Sequence, residues 1–145
     1  MKNFKLNEKD ILSNQDWTFP TTTYYGPGRF NEIGKFCEEF DIKNPLIVTD
    51  SGSKDLPFIK KLIALLSKNN IKSDLFYNIS PNPRDDEISK GCDQFKNGSH
   101  DSIIAIGGGS AMDGGKSICL TVNSETPLWD FEFEQPVPKI TKENA

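Results

Sequence analysis

Residues 107–118 read Gly-Gly-Gly-Ser-Ala-Met-Asp-Gly-Gly-Lys-Ser-Ile, a stretch whose residue types suit the holding of phosphates. One loop that does this is the P-loop, G-x-x-x-x-G-K-[ST], whose backbone amides curl round a nucleotide's phosphates. Ending that pattern on Gly115-Lys116-Ser117 puts Ser110 where its first glycine should stand, and Gly109 lies one residue too far away. Asp113 would set a carboxylate inside the cradle. The run Leu46-Ile47-Val48-Thr49-Asp50, which could imitate a magnesium-binding strand end, comes before the loop and not after it. The register therefore argues against an ATPase loop.

The second kind of phosphate loop is a glycine turn leading from a buried strand into a helix. Without a Cβ at Gly107, Gly108 and Gly109, the backbone can come close to a pyrophosphate. Ser110 is placed to cap the helix that follows, and first-turn amides at a positive dipole end favour anions. Gly114 and Gly115 each cost about 1 kcal/mol against alanine in a helix. Something must pack close to them, either a strand or a ligand. A plain strand-to-helix turn with packing glycines is the alternative. Asp113 and Lys116, three residues apart, can pair on one helix face; Asp113 also has a ligand hydroxyl as a candidate partner. Asp50, at the end of an apolar run, can accept both hydroxyls of an adenosine ribose and would repel a 2′-phosphate, which favours NAD over NADP. It precedes the glycine loop, whereas the usual dinucleotide-binding acid follows G-x-G-x-x-G. Gly26-Pro27-Gly28 lacks the third glycine, since position 31 is Asn31.

The elements that must position these residues alternate. Residues 1–16 read as a polar arm and 17–145 as one α/β domain. Residues 19–26, β-branched and aromatic, read as a strand or half a hairpin. Phe30, Ile33, Cys37 and Phe40 recur at helical steps, as do Ile59, Leu62, Ile63 and Leu66, and then Ile88, Cys92 and Phe95. Between them lie strand-like runs at 45–50, 73–77 and 102–106, and a stiff Ser80-Pro81-Asn82-Pro83 connection. A fourth helix runs from the glycines through Val122, and residues from Leu128 onward read as an extended exit. Strands alternating with helices predict a parallel sheet covered on both faces, with ligands beyond the carboxyl ends of its strands.

With 145 residues the chain suffices for one domain, and its 35% hydrophobic and 26% charged residues exclude disorder and a membrane protein. A net charge of −4 speaks against a nucleic-acid partner. No run approaches the roughly 20 apolar residues of a membrane span, and the amino terminus lacks a signal peptide's apolar core. Three widely spaced cysteines, Cys37, Cys92 and Cys119, fit free thiols in a reducing cytoplasm. The lone histidine, His100, reads as an exposed loop residue, and no zinc cage is expected. The tail after Thr141 adds no core element, so the chain is expected to be part of a larger protein.

Taken together, Asp101-Ser-Ile-Ile-Ala-Ile-Gly-Gly-Gly-Ser-Ala-Met-Asp113-Gly-Gly-Lys116 resembles the GGGS-x-x-D-x-x-K signature of iron-containing (group III) alcohol dehydrogenases. Tyr25-Gly-Pro-Gly-Arg29, Leu46-Ile-Val-Thr-Asp50, Pro81-Asn-Pro83 and Trp129-Asp-Phe-Glu132 follow in that family's order, so the resemblance covers residues 17 to about 135. It implies an α/β nucleotide-binding domain similar to that of dehydroquinate synthase. By motif position, Asp50 would hold the adenosine ribose and Gly107, Gly108, Gly109 and Ser110 the pyrophosphate. Asn82 would lie along the cofactor and Asp113 near the nicotinamide. The family's other half, helical, carries an aspartate and three histidines for Fe2+ or Zn2+. Those ligands and the PTT-x-GTGSE segment are not in this sequence, and Gly114-Gly115 replaces a pair often Thr-Ala. The implied activity is hydride transfer between a small alcohol or aldehyde and NAD, in a possible homodimer, with this chain alone inactive and no catalytic residue named. The rivals are glycerol or glycerol-1-phosphate dehydrogenase, a dehydroquinate synthase-like enzyme, a P-loop hydrolase, and a non-catalytic module with Asp50 as phosphoacceptor. The last would want an acidic pair after its first strand, and none appears.

Overall fold

The computed structural model describes residues 21–132 and Pro136. Its elements are α1 (Ile33–Glu39), β1 (Pro45–Asp50), α2 (Pro57–Lys68), β2 (Asp74–Ile79), α3 (Asp85–Asn97), β3 (Ser102–Ala105) and α4 (Gly109–Thr121). Short 3-10 turns at Arg29–Glu32 and Leu128–Phe131 bracket them.

The three strands form a parallel sheet in the order β2-β1-β3. β1 is central, and Pro45, Leu46, Ile47, Val48 and Thr49 are all buried in it, which is why its sequence is apolar without alternation. Proline is tolerated there because it is the strand's first residue. Alternate side chains go to opposite faces. Leu46 and Val48 join Phe76, Ile79, Ile88 and Ile118 under α3 and α4. Ile47 joins Cys37, Leu62 and Leu66 under α1 and α2. The chain winds from β1 outward to β2, then back across to β3 on the other side of β1. Helices on both faces follow from that reversal.

Glu87 ties the end of β2 to α3. Although buried, its Oε2 accepts from the Ser80 amide (3.2 Å), the Ser80 hydroxyl (3.0 Å) and the Arg84 amide (3.1 Å). Arg84 Nη2 lies 3.3 Å from Oε1. Burial alone would raise this carboxyl's pKa, but the hydrogen bonds and the Arg84 charge outweigh it and hold it below its ordinary value. A depressed carboxyl stabilises the fold above its unfolded pKa and loses that contribution as pH falls through the lower folded value. The thermal stability of the chain is therefore expected to drop below about pH 4.3. Glu87→Gln should be less stable at pH 7 and should show less of that acid-dependent loss, a comparison that melting curves from pH 3 to pH 7 would provide.

Several expectations are corrected. Residues 21–25 form no strand; they are exposed chain ahead of the Gly26 and Gly28 turn, while residues 19 and 20 lie outside the described residues. Phe30 lies in the 3-10 turn and Phe40 follows α1, and both are exposed, because the helix between them is only seven residues long. Ile63 is exposed, at the margin of the α2 apolar face. Instead of an extended exit from Leu128, Leu128–Phe131 form a 3-10 turn and Glu132 is extended; residues 133–135 and 137–145 lie outside the described residues. His100 is not an exposed loop residue. Its ring is buried near Phe95, with Nδ1 3.0 Å from the Asn44 carbonyl and Nε2 3.4 Å from Asp74 Oδ2. The tight turn between α3 and β3 swings the ring inward, where it fastens the amino-terminal side of the sheet.

Candidate functional site

The reversal of winding lies between β1 and β3, so their carboxyl ends splay the following chain to opposite sides and leave a crevice. Two bonds lock those ends together: the Ile106 amide donates to the Val48 carbonyl (2.9 Å), and the buried Thr49 hydroxyl donates to the Ile106 carbonyl (2.7 Å). Gly107 comes next, at φ +142°, a backbone conformation side chains rarely adopt. A Cβ there would stand 2.8 Å from Ala111 Cβ and 3.1 Å from Asp50 Oδ2. The sheet therefore brings Asp50 and the glycine loop, far apart in sequence, into contact.

Asp50 is half-buried, and its carboxylate is already engaged. Oδ1 accepts from the Gly52 amide (3.0 Å) and Oδ2 from the Ser53 hydroxyl (2.8 Å). On its far side the pairing with β2 slips by one residue between Val48 and Asp50, and the Ser51 amide bonds the Ile79 carbonyl at 3.1 Å. Asn82 lies beyond that neighbouring strand end, exposed and in the left-handed conformation at φ +57°. It thus shares the carboxyl edge with Asp50 and Gly107.

Helix α4 opens at Gly109 with Gly108 as its cap residue, and its first backbone bond runs from the Met112 amide to the Gly108 carbonyl at 3.1 Å. Ser110 is inside the first turn and does not cap it; no side chain does. The reason is that the extended backbone of Gly108 (φ −79°) starts the helix before the serine is reached. The first-turn amides have no carbonyl within the helix to bond and no acid stands among them. That end offers donors and a positive dipole.

The five glycines of the stretch divide by what surrounds them. A Cβ at Gly114 would meet Ile79 at 2.8 Å, and one at Gly115 would meet Ala105 Cβ at 2.5 Å, so both allow α4 to lie against the strands. Gly107 is required by its backbone. At Gly108 and Gly109 a Cβ would meet nothing within 4 Å. Packing gives no reason for glycine at those two positions, and they border the crevice.

Asp113 is exposed and 3.7 Å from Lys116 Nζ, the i,i+3 pairing expected of them. Burial raises the thiol pKa of Cys37, with the Asp101 charge adding to it, and burial alone raises that of Cys119. Neither is an activated nucleophile. Among the described residues no three His, Cys, Asp or Glu side chains converge, so these residues do not fit a metal. No helix among them is long and apolar enough to cross a membrane. A groove of about 770 Å³ lies at the opposite, amino-terminal side of the sheet, among Asn44, Ser67, Asn70, Asp74 and Gly98. It has no free helix N-terminus and no glycine loop, and the chemistry favours the carboxyl edge of β1 and β3. Ser53, Thr49 and Glu87 are the supporting residues that sequence reasoning missed. Only Ser53 left a signal, as the end of an Asp-x-Gly-Ser turn after a strand.

The fold and the site define a doubly wound parallel α/β domain with an uncapped helix N-terminus at its switch point. Over residues 20–144 the sequence matches the iron-containing alcohol dehydrogenase family, and the chain belongs to it. It is 28% identical over 136 residues to the 1,3-propanediol dehydrogenase of Klebsiella pneumoniae, a match covering 90% of this chain and 35% of that protein. It is 33% identical over 128 residues to NADH-dependent butanol dehydrogenase A of Clostridium acetobutylicum, covering 88% and 32% respectively. The crystal structure of sulfoacetaldehyde reductase from Bifidobacterium kashiwanohense in complex with NAD+ superposes with a TM-score of 0.71 at 26% identity, over 84% of this chain and 32% of that one. The chain thus spans about a third of the length of the curated relatives it matches.

Proposed function

We propose that this chain is the NAD-binding part of a metal-containing alcohol dehydrogenase that transfers hydride between a small alcohol or aldehyde and NAD. The observation that carries the reading is the open space at Gly108 and Gly109, beside a free helix N-terminus and an acid at the neighbouring strand end. The pyrophosphate would lie over residues 107–110, receiving first-turn amides of α4, including that of Ser110. Asp50 would accept the hydroxyls of the adenosine ribose, Asn82 would lie along the cofactor, and Asp113 would stand toward the nicotinamide end. Residues 17–145 would form this nucleotide-binding unit. When bound, NAD supplies the hydride acceptor at C4 of its nicotinamide, and the chain's part is to bind and align it. The names of the butanol dehydrogenase and of the NAD+-bound reductase support the choice of cofactor.

Asp50 gives the test. Calorimetric titration of the chain should show NADH binding tighter than NADPH by about tenfold or more, because a carboxylate beside a 2′-phosphate places like charges together. Asp50→Ala should narrow or invert that ratio. Equal affinity for both cofactors in the unmodified chain, unchanged by Asp50→Ala, would contradict the assignment.

A further inference from the structure

Ser53 stands against the carboxylate on which cofactor choice depends in the reading above, and the inference here rests on that reading. Its hydroxyl donates to Asp50 Oδ2 at 2.8 Å, while the Gly52 amide donates to Oδ1 at 3.0 Å. A Cβ at residue 107 would stand 3.1 Å from the same Oδ2, so glycine there leaves that oxygen free of a side-chain clash. The side chain that holds the carboxylate is therefore the Ser53 hydroxyl. An ionised carboxylate offers about four acceptor sites on its two oxygens. The two donors take one site on each oxygen, leaving one on each, which matches what the two adjacent hydroxyls of a ribose require. Rotation about the terminal carboxylate torsion is soft, so a fixed plane needs a fixing partner.

We propose that Ser53 is a positioning residue whose hydroxyl fixes the Asp50 carboxylate in the orientation that accepts a ribose diol and excludes a 2′-phosphate. The surrounding turn does not depend on this side chain. The Ser53 amide donates to the Asp50 carbonyl at 3.1 Å and the Leu56 amide to the Ser53 carbonyl at 3.0 Å, and both bonds survive replacement by alanine. Loss of the hydroxyl frees the carboxylate to rotate. The diol loses its paired acceptors, and the 2′-phosphate meets a charge that can turn aside.

The experiment titrates NADH and NADPH into the 145-residue chain, Ser53→Ala and Ser53→Thr. Ser53→Ala is expected to weaken NADH binding by about tenfold, the loss of one hydrogen bond to a charged group. NADPH binding should be unchanged or tighter, and Ser53→Thr, which keeps the hydroxyl, should restore the NADH preference. Because the two cofactors differ only at the 2′ position, general damage to the site would weaken both alike. Equal weakening of both, or an unchanged NADH-to-NADPH ratio in Ser53→Ala, overturns the role of Ser53 while the cofactor reading stands. Failure of the unmodified chain to prefer NADH overturns both.

Discussion

Gly109→Val is expected to weaken NADH binding by on the order of a hundredfold while leaving the free chain as stable as before. The physical basis is the difference between room in the fold and room in the complex. A Cβ at this position meets nothing within 4 Å, and the residue opens a helix, where valine is a better helix former than glycine. The free protein therefore has no reason to object. In the complex, an isopropyl group would occupy the space through which a pyrophosphate reaches the first-turn amides. Losing two hydrogen bonds to a charged group costs about 3 kcal/mol or more, which is the hundredfold. Gly108→Val should behave in the same way. Titration with NADH, paired with a melting curve of the unliganded variant, checks both halves. A variant that binds NADH normally would mean that the open space is not where the phosphates go.

Gly115→Ala should do the opposite: lower stability sharply, with any effect on the cofactor following from unfolding. The new methyl would stand 2.5 Å from Ala105 Cβ and 3.5 Å from Ala105 Cα. Backbone and a one-carbon side chain cannot swing aside, so α4 itself would have to move off β3. Overpacking of this kind costs about 3 kcal/mol, against roughly 1 kcal/mol gained from alanine's helix propensity. The net loss of about 2 kcal/mol corresponds to a fall in melting temperature of several degrees for a domain of this size. Gly109→Ala is the control, since the same chemical change there should be neutral or slightly stabilising. Denaturant unfolding of the two variants side by side gives the comparison. Equal stability of both would contradict the packing account of Gly115.

The parts of the fold that were legible in the sequence share a cause. β1 is an uninterrupted apolar run because both of its faces are covered, and α2 and α3 show their buried residues at helical spacing. The sequence signal fails where partners decide the outcome. The β-branched and aromatic residues up to Gly26 have strand-like composition, but residues 21–25 pair with no strand among the described residues, and propensity does not supply one. His100 is a polar residue in a loop by sequence; its ring turns inward where the Asn44 carbonyl, distant in sequence, bonds Nδ1, with the Asp74 carboxylate 3.4 Å from Nε2. Ser110 has the right type for a cap, but the helix begins two residues too early for it to serve.

The candidate site was legible in a different way. Asp50 and the glycine run each carried a local chemical reason, whereas Asn82 was singled out only by the family resemblance, which placed all three in one order. Sequence could not show that β1 and β3 are neighbours, which is what sets Asp50 Oδ2 against Gly107. Nor could it separate the glycines that packing requires from the two it does not. That division emerges only from the distances to Ile79 and Ala105.

The most direct measurement is an NMR titration of the ¹⁵N-labelled chain with NADH, following backbone amides. The account predicts that the amide signals of Ser51, Gly52, Ser53, Gly108, Gly109, Ser110 and Ala111 shift on addition of NADH. Those of Asn44, Asp74 and His100, on the opposite side of the sheet, should stay still. Shifts confined to that opposite side, or shifts with Mg-ATP and none with NADH, would contradict it.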